Sequence, residues 1–185
     1  RIEWIEAFYG VLKARGVPIN VNYKYLVDEL RHVYSNSDSV MAIVAPEYEA
    51  LAREASDGAL RELLVMGEPY EAALATASAE RQVEERSPDD RYIIYTGGTT
   101  GSPKGVVWRN EDIIRAAMNA ARYGAPLDSL EQLASEAAAN ENPMTLLAAG
   151  PMMHGGSQWI MGNGHVSGQT VALYPQSAAT EYVDL

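Results

Sequence analysis

Between Trp4 and Met66 the chain alternates amphipathic stretches with short, unbroken apolar runs, and this alternation restricts the fold more than any other property of the sequence. Trp4, Ile5, Phe8, Val11 and Leu12 recur at helical spacing, and Gly16 with Pro18 ends the pattern. A strand is predicted over 19–23. Leu26, Val27, Leu30, Val33 and Tyr34 repeat the helical spacing as far as the polar turn at 35–39. The run 40–45 reads as a strand. Pro46 then opens a helix carrying Tyr48, Leu51, Ala52 and Ala55, Gly58 closes it, and 63–66 forms the next strand. Strands without polar alternation are buried on both faces, which α/β proteins achieve by packing helices on each side of a parallel sheet. The expected class is α/β, with parallel-sheet layers and flanking helices.

Further along, 70–79 reads as a helix and the charged run 80–90 as a solvated connector. YIIY at 92–95 and VVW at 106–108 read as strands. Asn110 is the expected N-cap of a helix reaching about Tyr123, with Glu111 and Asp112 in its first turn and Gly124 and Pro126 ending it. The alanine- and glutamate-rich stretch 127–142 reads as a surface helix, a lid or a plain solvated insertion. Strands follow at 145–149 and 170–174.

Between YIIY and VVW lies YTGGTTGSPKG, residues 95–105. It sets three glycines and four hydroxyl side chains ahead of one lysine. Gly97, Gly98 and Gly101 let successive backbone N–H groups converge on one anion without Cβ interference. The hydroxyls of Thr96, Thr99, Thr100 and Ser102 add donors, and Lys104 adds a point charge. These are the materials of a phosphate cradle, with a nucleotide triphosphate as the expected ligand. A glycine-rich hairpin is the plain alternative, but a tight hairpin takes about two to five loop residues and here about ten are expected. A Walker-type loop requires Gly-Lys-Ser/Thr opening a helix. Pro103 precedes this lysine, Gly105 follows it, and the β-branched residues beyond read as a strand.

At 185 residues and 47% apolar content the chain can build a full core. A net charge of -11 without a basic patch argues against nucleic-acid or anionic-membrane partners. It also makes one lysine among oriented N–H groups more important for holding an anion. The absence of cysteine excludes disulfides, thiolate metal sites and a cysteine nucleophile. No apolar run is long enough to span a bilayer and no segment resembles a signal peptide, so a cytoplasmic location is expected. The chain starts inside an amphipathic pattern and stops at Leu185 without a stop signal, as a piece of something longer would.

A second group of residues follows the predicted strand 145–149. His154 sits beyond the carboxyl end of that strand, where open α/β sheets bind ligands, and is followed by Gly155, Gly156, Gln158 and Trp159. The two glycines remove bulk where a substrate chain could enter, and Met152, Met153, Trp159 and Met161 could line an apolar tunnel or simply form core. His32 and His165 have no metal-ligand spacing with His154, so no protein-ligated metal is expected. Gly162, Gly164 and Gly168 miss the dinucleotide-binding spacing by one residue.

Residues 96–104 resemble the signature of the adenylate-forming (AMP-binding) superfamily, which includes acyl- and aryl-CoA synthetases, peptide-synthetase adenylation domains and luciferase. Gly97 stands where serine is commoner, a variant associated with the bacterial fatty-acyl and steroid-side-chain CoA synthetases. PINVNYKY at 18–25 and PMMHGGSQW at 151–159 are similar to two further segments of that branch, in the family's order. The resemblance implies ATP-dependent activation of a carboxylic acid to an acyl-adenylate, then thioester formation with coenzyme A; loading of a carrier-protein thiol and a non-catalytic nucleotide-binding module stay open as alternatives. It places Thr96, Gly97, Gly98, Thr99, Thr100, Gly101, Ser102 and Lys104 on the ATP phosphates, with Mg²⁺ bridging phosphate oxygens. His154, Gly155, Gly156 and Trp159 would lie along the acyl pocket. It further implies that 1–185 is part of the large N-terminal domain. The family's catalytic lysine, on a mobile C-terminal domain, would lie outside this chain, and the piece alone would be inactive.

Overall fold

The computed structural model describes residues 1–80, 87–97, 101–118 and 128–173. Two compact units divide the chain, Arg1–Val107 and Trp108–Leu185. The first contains α1 (Ile2–Lys13), α2 (Val27–Asn36), β1 (Met41–Val44), α3 (Glu49–Ser56) after a 3-10 turn at Pro46–Tyr48, β2 (Glu62–Val65), α4 (Glu68–Thr76) and β3 (Arg91–Thr96). Strand β4 (Lys104–Arg109) carries the chain into the second, which contains α5 (Asn110–Ala116), α6 (Leu130–Ala138), β5 (Thr145–Ala148), α7 (Gly155–Val166) and β6 (Thr170–Leu173). No helix among the described residues is long and apolar enough to cross a membrane.

In the first unit β1 and β2 pair in parallel from Met41 opposite Glu62 to Val44 opposite Val65, with α3 as the crossover. Parallel neighbours need such a connection, because a short turn cannot return the chain to the same end of the sheet. Helix α3 stops where Asp57 takes a left-handed conformation and Gly58 continues at φ 78°. On β3 both faces are covered. Tyr92 meets Phe8 of α1 edge to face, 5.6 Å between ring centres, while Tyr95 joins Tyr25, Leu30, Val33, Tyr34 and Ala55 in the core beneath α2, with Ile93 packed alongside.

Three expectations need correction here. Residues 19–23 form no strand: only Ile19 bridges to Ile93, in parallel. The place of a ladder is taken by the buried side chain of Asn20, which donates to the Tyr95 carbonyl at 3.1 Å and accepts from the Tyr95 N–H at 2.7 Å. Strands β3 and β4 extend beyond YIIY and VVW, leaving only 97–103 between them, and they pair with each other in one two-stranded sheet. A connection that short joins antiparallel neighbours, so hairpin and candidate cradle are the same segment. Helix α5 ends at Ala116, with Arg109 as its N-cap and Asn110 as its first residue; its predicted end near Tyr123, Gly124 and Pro126 lies outside the described residues.

The second unit repeats the parallel unit. β5 and β6 pair from Thr145 opposite Thr170 to Ala148 opposite Leu173, and α7 is the crossover. Helix α7 has no counterpart among the predicted elements, because four of its twelve residues are glycine and glycine costs a helix about 1 kcal/mol per position relative to alanine. Packing reverses that preference. A Cβ on Gly162 would overlap the thioether of Met118, and one on Gly164 would overlap Val171 of β6. These glycines let the helix lie close against its neighbours.

Candidate functional site

The connection between β3 and β4 holds three glycines, four hydroxyl side chains and one lysine within residues 96–104. Thr96 ends β3 and Lys104 begins β4, and both side chains are exposed, as are Gly97, Gly101 and Ser102. Gly98, Thr99 and Thr100 lie outside the described residues. Gly101 has φ 104°, a backbone conformation open to glycine and strained for other residues. Lys104 forms no ion pair among the described residues, which leaves its ammonium available to an anion. Pro103, between exposed Ser102 and exposed Lys104, is buried.

Both ends of this loop are tied down by residues that the sequence pattern had assigned no role. Before it, Tyr95 is held through its backbone by Asn20, and its hydroxyl donates to Asn36 Oδ1 at 2.6 Å. Burial raises the Tyr95 phenol above its usual range, so it stays protonated and can donate. After it, the carbonyl of Pro103 receives His32 Nε2 at 3.0 Å. Across the hairpin Gly105 lies under the Tyr95 ring: a Cβ there would come within 2.9 Å of Tyr95 Cε2 and 3.0 Å of Ile93 Cγ2. The signal missed in the sequence was the short polar side chain of Asn20 inside an apolar stretch, where a buried amide needs partners.

The second group lies wholly within the other unit. His154 is the exposed N-cap of α7, Gly155 and Gly156 open the helix, and Trp159 sits one turn further on. The turn 151–154 that delivers them is fixed twice: His154 N–H donates to Pro151 O at 3.0 Å, and Gln158, fully buried, donates from Nε2 to Met152 O at 2.6 Å. Gly156 has no heavy atom within 4 Å of a Cβ and no left-handed backbone, so neither packing nor conformation requires glycine there. Trp159 Nε1 is buried with no hydrogen-bond partner among the described residues. Met152 and Met153 are half-buried, whereas Met161 is completely buried and belongs to the core.

Comparison with known proteins places the chain in a family. A family model described as AMP-binding enzyme matches residues 1–184. The chain is 40% identical to a 3-oxocholest-4-en-26-oate–CoA ligase of Rhodococcus rhodochrous over 97% of its length, and 38% identical to a medium/long-chain-fatty-acid–CoA/3-oxocholest-4-en-26-oate–CoA ligase of Mycobacterium tuberculosis over 98%. It spans 35% and 36% of those relatives. Its fold matches the N-terminal domain of FACL13 from Mycobacterium tuberculosis with a TM-score of 0.78 at 23% identity, covering all of this chain and 44% of that one. With the family model matched along 1–184 and the α/β fold of its members reproduced, the chain belongs to the AMP-binding enzymes.

Proposed function

We propose that the protein carrying this chain activates a carboxylic acid with ATP and transfers the acyl group to coenzyme A, and that residues 96–104 hold the β- and γ-phosphates. The observation that carries the reading is the loop itself: in a chain of this family, the exposed hydroxyls of Thr96 and Ser102, a glycine at φ 104° and an exposed lysine with no ion pair among the described residues are presented where two paired strands meet. Each of these groups can donate and the ammonium repels a cation, so the set fits phosphate oxygens. Mg²⁺ would therefore be held through the phosphates, where it supplies neutralisation of charge on the departing pyrophosphate.

In the first step a carboxylate oxygen attacks the α-phosphorus of ATP, forming the acyl-adenylate as pyrophosphate leaves. The ammonium of Lys104 and the N–H and hydroxyl donors of the loop stabilise the charge that accumulates on that leaving group. In the second step the thiolate of coenzyme A attacks the acyl carbon and AMP departs. His154, Gly155, Gly156 and Trp159 border the acid, the glycines leaving room for its chain. Fatty acids and steroid side-chain acids are the substrates of choice, because the relatives named above are ligases for those acids. The chain spans about a third of those relatives, and we take it as part of the N-terminal AMP-binding domain. Alone it should therefore not turn over. The test is acid-dependent exchange of labelled pyrophosphate into ATP, followed by thioester formation on adding coenzyme A. The full-length protein should do both with a long-chain acid and the isolated 185-residue chain neither. Absence of exchange with every acid offered to the full-length protein would reject the assignment.

A further inference from the structure

We infer that α2 clamps the two ends of the phosphate loop, and that His32 is a positioning residue for Lys104; the inference rests on the phosphate reading of that loop. His32 and Asn36 are four residues apart, so they share one face of α2. His32 Nε2 contacts the Pro103 carbonyl at 3.0 Å, and because a carbonyl only accepts, that nitrogen carries the hydrogen. Asn36 Oδ1 accepts from the Tyr95 hydroxyl at 2.6 Å. Tyr95 precedes the loop and Pro103 closes it, and both are buried while Thr96, Gly97, Gly101 and Ser102 between them are exposed. Backbone freedom at Pro103 would pass directly to Lys104, the next residue, and a phosphate contact weakens quickly as its donor drifts. His32 touches no ligand in this arrangement. It acts through the loop.

The test measures kcat and KM for ATP in acid-dependent pyrophosphate exchange by the full-length protein. The variants are His32→Ala, His32→Gln, Tyr95→Phe, Lys104→Ala and the double variant His32→Ala/Lys104→Ala. Met66→Val, a core change outside the α2 cluster, controls for lost stability. Losing one hydrogen bond should raise the KM for ATP about two- to tenfold in His32→Ala, beyond any change in Met66→Val, and glutamine should restore most of it. Tyr95→Phe should act in the same direction, which keeps the test open if His32→Ala fails to fold. Because His32 works through the loop that presents Lys104, its effect should largely vanish in the Lys104→Ala background. If Lys104→Ala weakens ATP use while His32→Ala and Tyr95→Phe behave like Met66→Val, or add fully to Lys104→Ala, the clamp is wrong and the phosphate reading stands. If Lys104→Ala changes nothing, the phosphate reading falls and the clamp with it.

Discussion

Two glycines with opposite surroundings show how a single residue type serves packing in one place and space in another. Gly105 lies under the Tyr95 ring with no room for a Cβ. Gly105→Ala should push that ring off the core and cost about 1–3 kcal/mol, the usual penalty for overpacking; a denaturation midpoint equal to wild type would contradict the contact. Gly156 has open space and an unstrained backbone. Gly156→Leu should therefore leave the melting temperature nearly unchanged while shifting acyl preference towards shorter acids. Equal loss of activity across a chain-length series would remove Gly156 from the pocket. Nothing in the sequence separates these two glycines, because the difference lies in which side chains the fold brings over them.

At the scale of elements, the periodic helices α1, α2 and α3 and the apolar strands β1, β2, β3 and β5 were legible because local pattern and burial agree there. Helix α7 was not, since its glycines read locally as loop and only their contacts with Met118 and Val171 explain a helix. Nor was the segment around Asn20, where one side chain replaces a strand. Its two bonds to the Tyr95 backbone make a sharp prediction: Asn20→Ala strands a buried N–H and a buried carbonyl, each worth about 1–3 kcal/mol when left unmet. Asn20→Asp keeps the acceptor for the Tyr95 N–H but sets a buried carboxylate oxygen against the Tyr95 carbonyl, so it should also destabilise, less so at low pH where the protonated acid can donate. Chemical denaturation of both variants measures the loss, and midpoints equal to wild type would show that the bridge contributes little. The loop 96–104 was legible as a donor set from composition alone, whereas its clamps from α2 were hidden about sixty to seventy residues away along the chain, beyond the reach of any local pattern.

For the whole molecule, eleven tyrosines and no cysteine make alkaline behaviour a clean probe of the core. Burial raises Tyr34 from 10.0 to about 12 and Tyr9 to about 12, and moves Tyr92 upward as well. Their folded-state values lie above the unfolded ones. The stability they contribute is therefore fully present below pH 10.0 and is lost as pH rises towards 12, where the unfolded chain has released protons that the fold retains. Tyr34→Phe should flatten the decline of the denaturant midpoint across that window; an unchanged slope would place Tyr34 in contact with solvent. The central claim, that a lysine-tipped glycine loop powers acid activation in an AMP-binding enzyme, is met most directly by Lys104→Ala in the full-length protein. Removing a charge-assisted phosphate contact should lower kcat/KM for ATP in acid-dependent pyrophosphate exchange by about ten- to a hundredfold, with circular dichroism and melting unchanged. A variant that folds normally and keeps the wild-type kcat/KM for ATP would contradict the account.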